Sequence, residues 1–188
     1  MKRIVLFQVR GCLWIDKICD PSVSVLMVNV SQSIEQLAKV PKCDCWIVLH
    51  IVQELLSQGV KAESIGVVTV YTQNNGIMKT ILDPKRVEVV AIERCENLIK
   101  DCIIVSCIKP NGKAYINRDF NKINIAFTRA KCKLVIIGSK GVLGEMESMK
   151  DYVEAVKALG VIVNSIRLED ERSYCEKNYT TEEFNLIQ

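Results

Sequence analysis

The sequence predicts an α/β domain of three layers built on a mainly parallel sheet. Three observations carry this reading. The runs VSVLMVNV (23–30), IGVVTVY (65–71), CIIVSCI (102–108) and KLVIIG (133–138) are continuously apolar, as strands covered on both faces are. Segments with helical spacing lie between them, and such alternation builds a sheet flanked by helices. At 188 residues the chain suits one domain, able to bury about 70% of the surface its unfolded form would expose.

Residues 1–20 show no clean period. Asp20-Pro21-Ser22 signals a turn, and residues 23–30 read as a strand. A polar-leaning connection follows over 31–43. Asp44 offers an N-cap, Val48, Ile51, Val52 and Leu55 recur at helical spacing, and Gly59 sits just past the end; this predicts a helix over 45–58. Residues 61–64 read as a turn, 65–71 as a buried strand, and 74–82 as a short helix ended by Asp83-Pro84. Strands are expected over 87–92 and 102–108. The run KPNGKAYINR (109–118) is a polar loop with a turn at Pro110-Asn111-Gly112. Residues 119–129 open as a helix with Phe120, Ile123, Ala126 and Phe127 on one face. Then come a strand over 133–138, an amphipathic helix over 145–159, and an edge strand over 161–166. The tail after 168 is charged.

Composition narrows the function. With 49% hydrophobic and 25% charged residues, disorder and collagen are excluded. No stretch of 18 apolar residues is present, which excludes a membrane span. The net charge of +3 does not by itself mark a nucleic-acid binder. The nine cysteines are odd in number. Met1-Lys2-Arg3 leads into an apolar run soon interrupted by Gln8 and Arg10, which is not a secretory signal. Reduced, mostly buried thiols are therefore expected, with Cys102 and Cys132 inside apolar runs. Cys43-x-Cys45 has no partners at finger spacing and His50 is the sole histidine, so no metal site is expected. One histidine on a helix gives no support to nucleophilic catalysis.

A phosphate-cradling loop ending in Gly-Lys-Ser/Thr is absent: Gly112-Lys113 runs into Ala114, and no acidic pair follows a strand to hold magnesium. Glu169-Asp170-Glu171 stands in a polar tail. The strongest constellation is DFNKINIAFTRAKCKLVIIG, residues 119–138. Thr128 and Lys131 share a helical face. Arg129, near the helix C-terminus, is expected at the sheet edge where open α/β folds place ligands, and its planar fork of donors suits phosphate. The competing reading is a solvated helix end whose cations complement the helix dipole.

INIAFTRAK (123–131) followed by KLVIIG closely resembles motif VI of superfamily 1B helicases. IGVVTVY (65–71) resembles motif IV, and VEVVAIERCENLIKDCIIVS (87–106) resembles motif V. The three stand in order and register across residues 14–166, with 1–13 and 167–188 as flanks. Within the superfamily, KDCIIVS (100–106), the pair Asp119-Phe120 and the Trp14 to Ser22 entry are most similar to the nuclease–helicases that process Okazaki flaps. RNA-directed members share the motifs and stay open as an alternative.

The resemblance implies a second RecA-like, P-loop-NTPase-like motor domain. Arg129 would be the arginine finger, with Thr128 and Tyr71 on the nucleotide side. Thr69, Ala91, Glu96, Asn97 and Asn124 would serve the nucleic-acid side, with Asn124 also supporting the finger helix. ATP and magnesium would be held mainly by a first RecA-like domain, the implied partner, and single-stranded DNA would be the track. The setting would be nuclear, with mitochondria as the alternative. The chain alone is expected to be inactive. Several contacts depart from the pattern. Motif V has Ala91-Ile92-Glu93 for Thr-Val-Asp, Glu96-Asn97 for Gln-Gly, and Ile99 where a ribose-contacting Glu is expected. Motif IV has Val70 before Tyr71, and motif VI has Asn121-Lys122 for Arg-Arg. These departures leave a second reading open, a helicase-like interaction domain without ATP coupling.

Overall fold

The computed structural model describes residues 13–30, 43–71, 75–108, 120–145, 147–158 and 161–164. The expected 31–43 connection apart from Cys43, which is helical, the 109–118 loop, Asp119 and the tail lie outside them. Six strands form one parallel sheet: β1 (Val25–Asn29), β2 (Ile65–Thr69), β3 (Glu88–Ala91), β4 (Lys100–Ser106), β5 (Ala130–Gly138) and β6 (Ile162–Asn164), in the order β3-β2-β4-β5-β1-β6. The three-layer α/β architecture read from the alternation is the one observed.

Burial explains why apolar runs make this sheet. Along β4, Cys102 and Ile104 enter the core on one face, and Ile103 and Val105 enter the core on the other. A strand covered on both sides has no position for a polar residue until its ends. The first face is covered by α1 (Leu13–Cys19), α2 (Cys43–Ser57) and α3 (Asn75–Leu82), through Ile18, Leu49, Val52 and Ile81 among others. The second face is covered by α4 (Phe120–Phe127), α5 (Lys140–Gly144) and α6 (Glu147–Ala158), through Ile123, Phe127, Leu143 and Val153, together with the 3₁₀ segment Ile92–Asn97.

Helix α2 starts at Cys43, so Asp44 falls in the first turn and not at the cap. Its end follows the expected glycine. Gly59 has φ +85°, its N–H donates to Leu56 O, and Val60 N–H donates to Leu55 O, both at 3.0 Å. This paired closure satisfies two terminal carbonyls and favours a residue without a Cβ.

Three expectations need correction. Residues 13–19 are helical, although the period there is not clean: seven residues give barely two turns in which to show one. The single helix expected over 145–159 is preceded by α5, which Ser139 caps by accepting from Val142 N–H, and α6 ends at Ala158. Cys132 is exposed, because β5 begins at Ala130 with a half-exposed to exposed stretch before its buried run.

Two edges of the sheet as candidate functional site

Because every strand is parallel, the sheet has one amino edge and one carboxyl edge. The site residues expected from the sequence divide between them, about 20 Å apart along the six steps of β4 at about 3.3 Å per residue.

At the amino edge, α4 runs back against the sheet and delivers Arg129 one residue before β5. The guanidinium is half-buried and held on this lobe's own backbone. Nε–H donates to Ile125 O at 3.1 Å and Nη1–H donates to Glu96 O at 2.7 Å. Nη2–H donates to the exposed Thr128 Oγ1 at 3.2 Å. Thr128 Oγ–H in turn donates to Ile125 O. Arg129 O accepts from Lys100 N–H, tying the turn to the start of β4. A guanidinium has five N–H donors, so these bonds fix its plane and leave donors for an external acceptor. Phosphate, with several oxygens and full charge, fits such a fork.

Glu96 and Asn97 stand at the same edge. They end the 3₁₀ segment that leads from the carboxyl end of β3 back to the start of β4 and packs against α4. The contact with Arg129 is made by the Glu96 carbonyl. Asn97 needs no glycine here: among the described residues other than glycine, only Arg86 has positive φ, so Asn97 stands in a backbone conformation open to any residue. Cys95 is buried beneath this corner, and burial raises its thiol pKa.

Lys133 anchors the same edge. Its Nζ donates to Asp20 O at 2.8 Å and Val23 O at 2.6 Å, and burial holds its pKa below the usual lysine value. Its position in the KCKLVIIG run gave no sign of this, since the partners lie more than a hundred residues away. Asp20 closes its own turn: Oδ1 accepts from Ser22 N–H and Oγ–H, which lowers its carboxyl pKa.

At the carboxyl edge the groups are neutral: Asn29, Thr69 and Ser106 are buried, Asn75 is half-buried and Asn164 is exposed. Thr69 Oγ1 accepts from Asn75 Nδ2 at 3.1 Å, and Thr69 is in register with Ala91 on one side and Ser106 on the other. Asn29 Nδ2 donates to Asn164 Oδ1, and Asn29 Oδ1 accepts from Lys140 N–H, both at 2.8 Å. Sequence reading missed Asn29, Asn75, Ser106 and Asn164. For Asn29, Ser106 and Asn164 the available signal was a polar residue closing an apolar strand. Tyr71 lies just beyond β2, half-buried. Burial, then the neighbouring Cys107 thiol, pushes its hydroxyl up to about 12, so it keeps its proton at neutral pH.

This arrangement corrects one expectation. Arg129 is not at the edge where open α/β sheets hold ligands, which is the carboxyl edge. A helix that immediately precedes a parallel strand must end at that strand's amino end. Tyr71 is therefore not brought to Arg129 and Thr128, and Glu96 and Asn97 are not brought to Thr69 and Ala91. Asn124 belongs to neither edge: its side chain on α4 faces α6, where Oδ1 accepts from Tyr152 Oη. Among the described residues no three of His, Cys, Asp and Glu gather as a metal site, and no helix is long and apolar enough to cross a membrane.

A six-stranded all-parallel sheet with helices on both faces defines a RecA-like, P-loop-NTPase-like lobe. The family described as AAA domain matches residues 4–141, and the chain belongs to it. Among curated proteins, it is 30% identical over 161 residues to the DNA replication ATP-dependent helicase/nuclease JHS1 of Arabidopsis thaliana, covering 80% of this chain and 12% of that protein. It is 29% identical over 156 residues to the DNA replication ATP-dependent helicase/nuclease DNA2 of Saccharomyces cerevisiae, covering 77% and 10%. The ATP-dependent helicase upf1 of Schizosaccharomyces pombe is 33% identical over 126 residues, covering 60% and 13%. The chain thus spans about a tenth of the length of these relatives.

Proposed function

We propose that this chain is the second RecA-like motor lobe of an ATP-dependent helicase/nuclease that acts on single-stranded DNA in replication and repair, in the nucleus. The observation that carries the reading is Arg129, held on three backbone or hydroxyl acceptors at the amino edge with N–H donors to spare. In this reading a first RecA-like lobe, with its phosphate loop, holds most of the ATP and magnesium. When bound, the nucleotide supplies the phosphoryl group whose hydrolysis drives movement. Arg129, oriented by Thr128 and Ile125 O, places positive charge beside that group as an arginine finger, worth a factor of about 10³ or more in turnover. Thr69 and Ala91, at the opposite edge, form this lobe's side of the DNA track.

The test is steady-state ATP hydrolysis by the full-length protein with saturating single-stranded DNA. Arg129→Ala should lower kcat about a thousandfold while leaving DNA affinity within twofold. Unchanged turnover would sink the motor reading. The second reading, a helicase-like domain without ATP coupling, draws on one feature of this edge. Exposed Ile99 and the exposed Glu96 stand beside Arg129 where the family has a Glu and a Gln. It predicts that unchanged turnover.

A further inference from the structure

One contact joins the last helix to the turn that carries Arg129. Tyr152 on α6 donates its hydroxyl proton to Asn124 Oδ1 on α4, and its ring meets Phe127 edge-on, with centroids 5.1 Å apart and planes at 81°. Asn124 and Phe127 are three apart on α4 and so lie on one face. Tyr152 thereby grips the last turn of α4 through a polar and an apolar contact at once.

That turn sets the finger. Asn124 O and Ile125 O both accept from Thr128 N–H at 3.1 Å, and Ala126 O accepts from Arg129 N–H at 3.3 Å. Ile125 O also accepts from Arg129 Nε–H. Any roll of α4 about its axis moves these carbonyls and carries the guanidinium along the edge. On the other side, α6 is pinned by Met149, Val153 and Val156, all buried in the second core. The hydroxyl therefore reaches α4 from a fixed support.

We propose that Tyr152 is a positioning residue for Arg129. Its O–H···Asn124 bond holds the end of α4 at the rotation that aims the guanidinium along the amino edge. The inference rests on the reading of Arg129 as the group that meets phosphate. It concerns the hydroxyl: Tyr152→Phe keeps the ring against Phe127 and removes the bond to Asn124.

The test is ATP hydrolysis by the full-length protein with saturating single-stranded DNA. Tyr152→Phe should lower kcat about tenfold, the effect of one lost hydrogen bond expressed in the transition state. KM for ATP should stay within twofold. Asn124→Ala should lower kcat to the same degree and add nothing to Tyr152→Phe. In an Arg129→Ala background, Tyr152→Phe should have no further effect, because the residue acts through the finger. If Tyr152→Phe fails to fold, Asn124→Ala measured with and without Arg129→Ala answers the same question. Parental kcat in both Tyr152→Phe and Asn124→Ala, with Arg129→Ala crippled, overturns the positioning role and leaves the finger standing. A Tyr152→Phe loss that persists undiminished beside Arg129→Ala overturns it too. An Arg129→Ala protein that turns over normally removes both proposals.

Discussion

The two edges of the sheet solve opposite problems with the same backbone. At the amino edge a permanent cation is half-buried and braced on main-chain carbonyls of α4 and of the segment before β4. At the carboxyl edge buried Asn29 and Thr69 bond neutral amides that are themselves exposed or half-buried, Asn164 and Asn75. A braced cation keeps spare donors and waits for an anion from outside. A closed neutral network offers shape and hydrogen bonding, and little long-range field. The amino edge is thus suited to meeting an anion, and the carboxyl edge to neutral hydrogen-bonded contacts.

The largest effect that can break this division comes from Arg129. Arg129→Ala should cut kcat about a thousandfold with single-stranded DNA affinity within twofold, read by filter binding. Loss of both together would mean that the edges are not separate. Next is alkaline stability, where both edges hold a raised thiol and the amino edge adds an opposing lysine. Burial pushes the Cys107 thiol up to about 12 from 9.0. The unfolded chain loses that proton first, so the stability this thiol contributes is fully present below pH 9 and is lost as pH rises toward 12, by about 1.4 kcal/mol per pH unit. Tyr71, raised above its usual 10.0, works in the same direction at the carboxyl edge. At the amino edge Cys102, also pushed up to about 12, is the register partner of Lys133. Lys133 has a lowered pKa, so the unfolded chain binds more protons below 10.5 and stability rises with pH there. Urea midpoints between pH 8 and 11 should fall. Cys107→Ala should flatten the fall and Lys133→Met should steepen it.

How far these edges could be read from the sequence depends on the range of the interactions that build them. β2, β4 and β5 were legible because burial on both faces leaves an unbroken apolar run. The end of α2 was legible because Gly59 closes it locally. Residues 13–19 were not legible as a helix: their packing on α2 comes from the tertiary fold, and seven residues show no period. Arg129 stood out in the sequence by its residue type and its place before an apolar strand. Its edge was misread, although chain order alone, helix then strand, fixes it at the amino end. The Glu96 carbonyl and the Asp20 and Val23 carbonyls that hold Arg129 and Lys133 were beyond reach, since a backbone acceptor leaves no mark in residue type. Asn29 and Asn164, 135 positions apart, pair only once β1 and β6 are side by side.

A smaller effect tests the carboxyl edge. Thr69→Val keeps the shape and removes the acceptor of Asn75 Nδ2. Leaving that part-buried donor without Thr69 should cost about 1–2 kcal/mol in urea unfolding. Single-stranded DNA affinity should weaken several-fold, and kcat at saturating DNA should not change. A fall in kcat with unchanged affinity would assign Thr69 to the chemistry and undo the division.

The smallest effect concerns Glu96, and it separates two ways in which a residue can act on Arg129. The carbonyl of Glu96 braces Arg129, and any side chain at this position can do the same. The carboxylate is exposed and adds negative charge at the edge where phosphate would approach. Glu96→Gln keeps the brace and removes the charge, restoring the residue type the helicase motif has there. An exposed charge of this kind is worth about 0–1 kcal/mol, so KM for ATP should fall by no more than about fivefold with kcat unchanged. Screening makes the effect specific: it should be clear at low salt and fade as the Debye length shrinks to about 3 Å at 1 M. A gain that survives high salt would point to altered bracing of Arg129 instead, and the amino edge would then be tuned through its backbone and not through its charge.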